Sequence, residues 1–232
     1  FFGHQSVGMN VLDGVRQLAE IAGVAVQIVE VPTASSVGAA SFGHAFVPEN
    51  GDPLRKLQSF ASAMGQRSND VDVAILKFCF TDITAETDVK SLFSRYQSTI
   101  DQLRARNPTV TFVHVTAPLT EVQGGIKAIV KQLLGRAPYG FVENMRREEY
   151  NALLRQAYRG REPMFDLARI ESTAPDGTIA TAKWKGNSVP VLSPALTDDG
   201  SHLNGAGRLR AARELISLLA VAPAGSEAKR AA

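Results

Sequence analysis

Short apolar runs alternate along the chain with longer stretches in which apolar residues recur at helical spacing. Phe1 and Phe2 read as the end of a strand, and Gly3-His4-Gln5-Ser6 as a tight turn. Val7, Val11, Leu12, Val15, Leu18, Ala19 and Ala22 then mark one face of a helix, with Asn10, Asp13, Arg16, Gln17 and Glu20 on the other. Gly23 stops this helix, and residues 24–31 read as a buried strand closed by Pro32. Residues 32–52 are rich in Gly, Ser and Ala and read as a long loop, of the kind that often carries function. Pro53 opens a helix to about Met64, with Leu54, Leu57, Phe60 and Ala61 inward. A third strand covers 71–78, a helix 88–106, and a fourth strand 110–115.

The rhythm breaks at residues 119–144. A short amphipathic helix from Ile126 to Leu134 and a turn at Ala137-Pro138-Tyr139-Gly140 predict an insertion beside the strand ends that could serve as a lid. A helix from Met145 to Arg159 and a fifth strand at Pro163–Leu167 resume the pattern. Thr178–Trp184 and Ser188–Leu192 flank Lys185-Gly186-Asn187 as a hairpin. A last helix points Leu209, Ala212, Leu215, Ile216 and Leu219 inward, and residues 223–232 read as a frayed tail. Alternating strands and helices build a mostly parallel, five-stranded sheet covered on both faces, an α/β fold in one domain over residues 1–222. In such a fold the C-terminal strand ends share one side, where ligands bind. Ser6, the Phe78–Asp82 turn, His114–Pro118 and the loop before the last helix all fall there.

Composition narrows the classes. The 232 residues are 44% hydrophobic and 21% charged, with a net charge of +2 and no basic block, which speaks against a nucleic-acid partner. Cys79 is alone, so no intrachain disulfide forms. No apolar run reaches the ~18–20 residues of a membrane span. No cluster has metal-ligand spacing, and no glycine loop suits a phosphate or dinucleotide, so neither metal nor cofactor is expected. The sequence opens inside a strand without an initiator methionine. The natural product is therefore expected to start upstream, with any targeting segment removed or left out; a secreted or periplasmic site is compatible, and compartment and oligomeric state stay open.

Two stretches carry candidate chemistry. A serine at a strand-to-helix turn has its hydroxyl at the sheet edge, beside unpaired N–H groups and the positive end of the helix dipole. Ser6 is thus either a nucleophile or the N-cap of the first helix. In Asp198-Asp199-Gly200-Ser201-His202-Leu203-Asn204, the Asp199 carboxylate can reach the ring of His202, fixing its tautomer and steadying an imidazolium. The same segment also reads as an Asp turn with Asn204 as a helix cap.

Together Gly3-His4-Gln5-Ser6-Val7-Gly8 and Asp199-Gly200-Ser201-His202-Leu203-Asn204 resemble the SGNH, or GDSL-type, hydrolase superfamily, in a divergent branch where His4-Gln5-Ser6-Val7 replaces Gly-Asp-Ser-Leu. The resemblance implies a flavodoxin-like, three-layer α/β/α fold, with Ser6 as nucleophile, His202 as general base and Asp199 as its partner. It implies a serine esterase acting on a short acyl ester, with an acetylated carbohydrate as the substrate class. An acyltransferase with the same triad and a non-catalytic carbohydrate-binding module are the alternatives. It further implies an oxyanion hole built from the serine N–H, a glycine N–H after the second strand and an asparagine side chain after the third. No asparagine occupies Phe78–Asp82. Thr81 or a backbone N–H could substitute, Gly43 or Gly51 could supply the glycine, and Asn50 the amide. Asp82 reads either as part of the hole or as a loop anchor, and His4 either as a site-lining residue or as a packing group at the turn. His44 could line the pocket, His114 reads as a satisfied core histidine and Cys79 as a small buried hydrophobe. Phe46, Phe80, Tyr139 and Trp184 are loop aromatics that could stack on a sugar or simply pack.

Overall fold

The computed structural model describes residues 1–38, 41–48, 50–65 and 71–222; the expected tail at 223–232 lies outside them. Its centre is β1 (Phe2–His4), three residues buried on both faces. Around it a six-stranded sheet runs in the order β2 (Gln27–Glu30), β3 (Ser41–Phe46), β1, β4 (Val73–Leu76), β5 (Thr111–Val115) and β6 (Met164–Phe165). Every pairing in it is parallel.

The sixth strand is β3, which lies inside the stretch expected to be a loop. Its alternation, Phe42, His44 and Phe46 against Ser41, Gly43 and Ala45, is masked because one face carries only small residues. By inserting between β2 and β1, it pushes β2 to the edge. Hence β2 is largely exposed, not buried as its apolar residues suggest; Val29 is 42% accessible.

Helices cover both faces. α1 (Ser6–Ala22), α6 (Leu167–Ser172) and α7 (Gly205–Val221) pack on one side, over Phe2, Ile75, Val113 and Phe165. α2 (Pro53–Gly65), α3 (Val89–Arg106) and α5 (Phe141–Tyr158) pack on the other, over Ala74, Leu76 and Phe112. α5 starts four residues before its expected boundary. Gly140, at φ 87°, leads directly into it, and Phe141 is fully buried in the first turn. α1 and α7 approach so closely that a Cβ on Gly14 would sit 2.2 Å from the Arg208 carbonyl oxygen. Two excursions leave this frame on the strand-end side: α4 (Gly125–Leu133) and the antiparallel hairpin β7 (Thr181–Trp184) with β8 (Asn187–Pro190). A small core of Phe141, Val189 and Val191 anchors the hairpin, with Trp184 at 5.8 Å from the Phe141 ring.

Candidate active site

The β1–α1 turn sets the position of Ser6. Gln5, extended at φ −137° and ψ −165°, is the N-cap of α1 and makes no side-chain cap bond. Ser6 is the first helical residue, so the cap role does not fall to it. Its side chain is partly exposed. The Gly8 amide donates to the Gln5 carbonyl at 2.7 Å, whereas among the described residues no acceptor takes the amides of Ser6 and Val7. The turn is held from beneath by His4, fully buried at the end of β1. Its Nδ1 donates to the Gln5 carbonyl at 3.0 Å, so its Nε2 must accept, from Nδ1 of His44 at 3.1 Å. Burial lowers the pKa of both rings, that of His4 to about 3, so the pair is neutral and its tautomers are fixed. Gly8 makes room for this ring: a Cβ there would lie 2.4 Å from the His4 Cβ. The Gln5 side chain in turn donates to the Val47 carbonyl.

The second part of the site is the loop between β8 and α7. One Asp199 oxygen accepts the amides of Ser201 and His202, each at 2.8 Å, which forms the turn. The other takes the ring N–H at His202 Nδ1, 2.7 Å away. One side chain thus does both things the sequence allowed. The His202 amide and ring, with help from the Ser201 amide, hold the Asp199 carboxyl well below the usual carboxylate range. With Nδ1 engaged, Nε2 is left as the basic nitrogen. Phe80 meets the ring edge-on at 5.6 Å. Asn204 caps α7 through the Gly207 amide at 3.1 Å. The two parts are joined by Asn10, one helical turn beyond Ser6, whose side chain accepts the buried Leu203 amide at 3.2 Å. That bond seats the residue after His202 over the first turn of α1.

The remaining candidates divide. Asp82 is buried in the turn at Phe80–Asp82. It accepts from the Cys79 and Gly51 amides at 2.6 and 2.8 Å and pairs with fully buried Lys56 at 2.6 Å. It therefore anchors the loop after β3, and the Gly51 N–H is spent on it. Asn50 accepts from Lys56 Nζ at 3.0 Å, which leaves its amide nitrogen as a donor. Thr81 has a buried hydroxyl with no partner among the described residues. Gly43 sits within β3, paired opposite Val29, rather than in a loop. His4 and His44 have their facing nitrogens engaged beneath the turn and so support the site instead of lining it. His114 is a core residue bonded to Tyr96 at 2.8 Å and Glu162 at 3.0 Å.

A cavity of about 610 Å³ opens beside the Asp199–Ser201 turn, lined among others by Phe80, Thr81, Thr120, Tyr139 and Arg147. Arg147 was not anticipated, because it looks like one of several charges on α5. It is 5% exposed, donates to the Phe80 carbonyl, Thr120 and Asn144 at 3.0, 2.9 and 2.7 Å, and lies 5.9 Å from the Phe80 ring. Asn10 was also missed, since its polarity placed it on the outer helix face; its spacing of four from Ser6 was the available signal. Of the aromatics, Trp184 packs against Phe141, and Phe46, 45% exposed, lies with its ring 5.2 Å from that of His4. A larger hollow of about 900 Å³ near β6 and the end of α7 shares no lining residue with this site.

No family model and no curated protein matches the chain in sequence. Solved structures do match in fold. A Bacteroides fragilis protein assigned as an acylhydrolase aligns over 97% of this chain and 86% of its own, with TM-score 0.54 and 15% identity. A Streptococcus pneumonia protein assigned as a platelet activating factor aligns over 92% of each chain, with TM-score 0.51 and 15% identity. A serine-to-alanine variant of an acetyl esterase, solved with an acetate ion, aligns over 94% of this chain and 93% of its own, at TM-score 0.50 and 14% identity. The chain shares the overall α/β fold of these structures.

Proposed function

We propose that the protein is a serine esterase of the SGNH type that hydrolyses short acyl esters, with an O-acetylated carbohydrate as the substrate class. The observation that carries this reading is the His202–Asp199 pair, tied through Asn10 to the helix turn that begins at Ser6. In the proposed reaction His202 Nε2 takes the proton of the Ser6 hydroxyl as its oxygen attacks the ester carbonyl carbon. The amides of Ser6 and Val7, at the positive end of α1, receive the negative charge of the tetrahedral intermediate. Asp199 steadies the imidazolium. Collapse expels the alcohol, which takes the proton back from His202. Water, activated by the same ring, then releases the acid and frees Ser6. The substrate class is supported by the mixed lining of the cavity, where Phe80 and Tyr139 offer ring faces and Thr120, Arg147 and several carboxylates offer hydrogen bonds to hydroxyls. The short acyl group is supported by likeness in fold to an acetyl esterase that holds acetate.

The test is intact mass after exposure to a fluorophosphonate, for wild type, Ser6→Ala and His202→Ala. One adduct on wild type, absent in Ser6→Ala and slowed in His202→Ala, is the expected result, followed by release of free acetate from an acetylated glycan without an added acceptor. An adduct that persists in Ser6→Ala moves the nucleophile elsewhere. A folded wild type that takes no adduct favours a binding module. Acetate release only when a second alcohol is supplied makes the protein an acyltransferase.

A further inference from the structure

The helix α4 is turned inside out. Ile126, Ile129, Val130 and Leu133 recur at the spacing of a single helical stripe, yet they are 81%, 57%, 49% and 82% exposed. Only Ala128 of this helix is buried, and Leu134 just beyond it is 69% exposed. A helix packed on a core turns such a stripe inward. Lys127 and Lys131 flank the stripe one turn apart, and Arg136 follows. A second cavity of about 610 Å³ is walled by Ala128 and Ile129 on one side and Thr181 and Lys183 on the other, so the β7–β8 hairpin lies alongside. That hairpin adds Lys183 and Lys185, the latter 4.8 Å above the Trp184 ring.

Charge separates the candidate occupants. Neither residues 122–142 nor residues 177–197 contain a single Asp or Glu. Their five cations exceed the +2 net charge of the whole chain. A second copy of the chain docked about a two-fold axis would bring these cations against each other, which disfavours self-association through this face. An apolar stripe bordered by lysine and arginine, with an exposed tyrosine beside it, is instead what a helix needs to lie in the interfacial layer of a membrane with negative headgroups. No helix among the described residues is long and apolar enough to cross a bilayer, so the contact is peripheral. We propose that α4 and the β7–β8 hairpin form a docking face for the surface of an anionic phospholipid bilayer. Val122, Gln123 and Tyr139 of the same segment also line the cavity beside Asp199, so docking holds that cavity at the lipid surface.

The test is co-sedimentation of the purified chain with vesicles of mixed phosphatidylglycerol and phosphatidylcholine, and with vesicles of phosphatidylcholine alone. Partition onto the mixed vesicles is expected to exceed that onto neutral ones by about tenfold or more at low salt, given ~1 kcal/mol per basic residue at such a surface, and to fall with added salt. The pairs Ile126→Glu with Leu133→Glu, and Lys127→Glu with Lys131→Glu, should each reduce it by about tenfold. Ile126, Lys127 and Leu133 are exposed and Lys131 is half-buried, so unchanged circular dichroism and melting temperature are expected and would show that the fold is intact. Failure to sediment with either vesicle, equal binding to both, or binding indifferent to both pairs overturns the proposal. So does a wild-type dimer in light scattering that the first pair makes monomeric without any lipid binding. Because sedimentation reads no catalysis, failure of the esterase reading leaves this result standing, and failure here leaves the fluorophosphonate result standing.

Discussion

At the scale of the residue, Asp199 and Gly8 each set the position of a histidine ring. Asp199 is more than half exposed and contributes little to stability as an ion pair. Its value is positional, because one oxygen forms the turn and the other fixes the His202 tautomer. Asp199→Asn should keep the turn but lose the charge opposite the imidazolium, lowering kcat by ~10²–10⁴-fold with little change in KM on a soluble ester. Since the folded protein depresses its pKa, Asp199 stays ionised below the ordinary carboxylate range, and its contribution is lost only as pH falls further. The acid limb of a kcat/KM profile should therefore follow one ionisation, with no second proton taken up above pH ~4, where an unperturbed Asp titrates; a two-proton limb there would contradict the geometry. Gly8 matters because of what lies below it. The His4 ring is enclosed by Phe2, His44 and Phe46 at 4.7, 5.1 and 5.2 Å and has no room to yield. Gly8→Ala should cost about 1–3 kcal/mol in urea unfolding, as overpacking does. Most of that loss should disappear when it is combined with His4→Gly, which removes the Cβ that the added methyl would strike; additive losses would mean that the two do not press on each other.

At the scale of the element, the pairing of α1 with α7 brings the first and last parts of the chain together. Gly14 lets the helix backbones meet, and Asn10 bonds across to the Leu203 amide. Asn10→Ala leaves that buried N–H without an acceptor, at about 1–3 kcal/mol. In the proposed reaction it should also lower kcat by ~10-fold or more, because the bond seats the loop that carries His202, while a fluorophosphonate still labels Ser6 slowly. An unchanged kcat would mean that the α1–α7 contact does not set the geometry. The alternation of elements was legible in the sequence because buried parallel strands and amphipathic helices carry unmistakable apolar patterns. β3 was not, because Gly43 and Ala45 fill one of its faces with almost nothing. Asp199 and His202 were legible because they are neighbours in sequence. Asn10 and the His4–His44 contact were not, because their partners lie 193 and 40 residues away.

At the scale of the whole molecule, the strand ends enclose ionisable groups that the surface residues conceal. Lys77, at the end of β4, and Glu171, in α6, are both fully buried and act on each other electrostatically. Lys77 donates to the Phe78 carbonyl at 2.9 Å, and burial holds its pKa below the usual lysine value. Glu171 accepts the Leu119 amide at 2.6 Å through one oxygen, while the other has no partner among the described residues. Burial raises its pKa to about 8 against the opposing pull of that amide, Lys77 and Arg147. The folded chain therefore keeps this proton up to about pH 8, whereas an unfolded glutamate releases it near pH ~4.3. Between those values the folded state binds the extra proton, so this group's contribution to stability falls as pH rises. Glu171→Gln preserves an acceptor for the Leu119 amide and removes the titration. It should leave the melting temperature nearly unchanged at pH 5 and raise it by several degrees at pH 8, relative to wild type, when followed by calorimetry at both values. The same difference at both pH values would show that Glu171 enters the fold in one charge state throughout, and that its burial is balanced by Lys77 and Arg147.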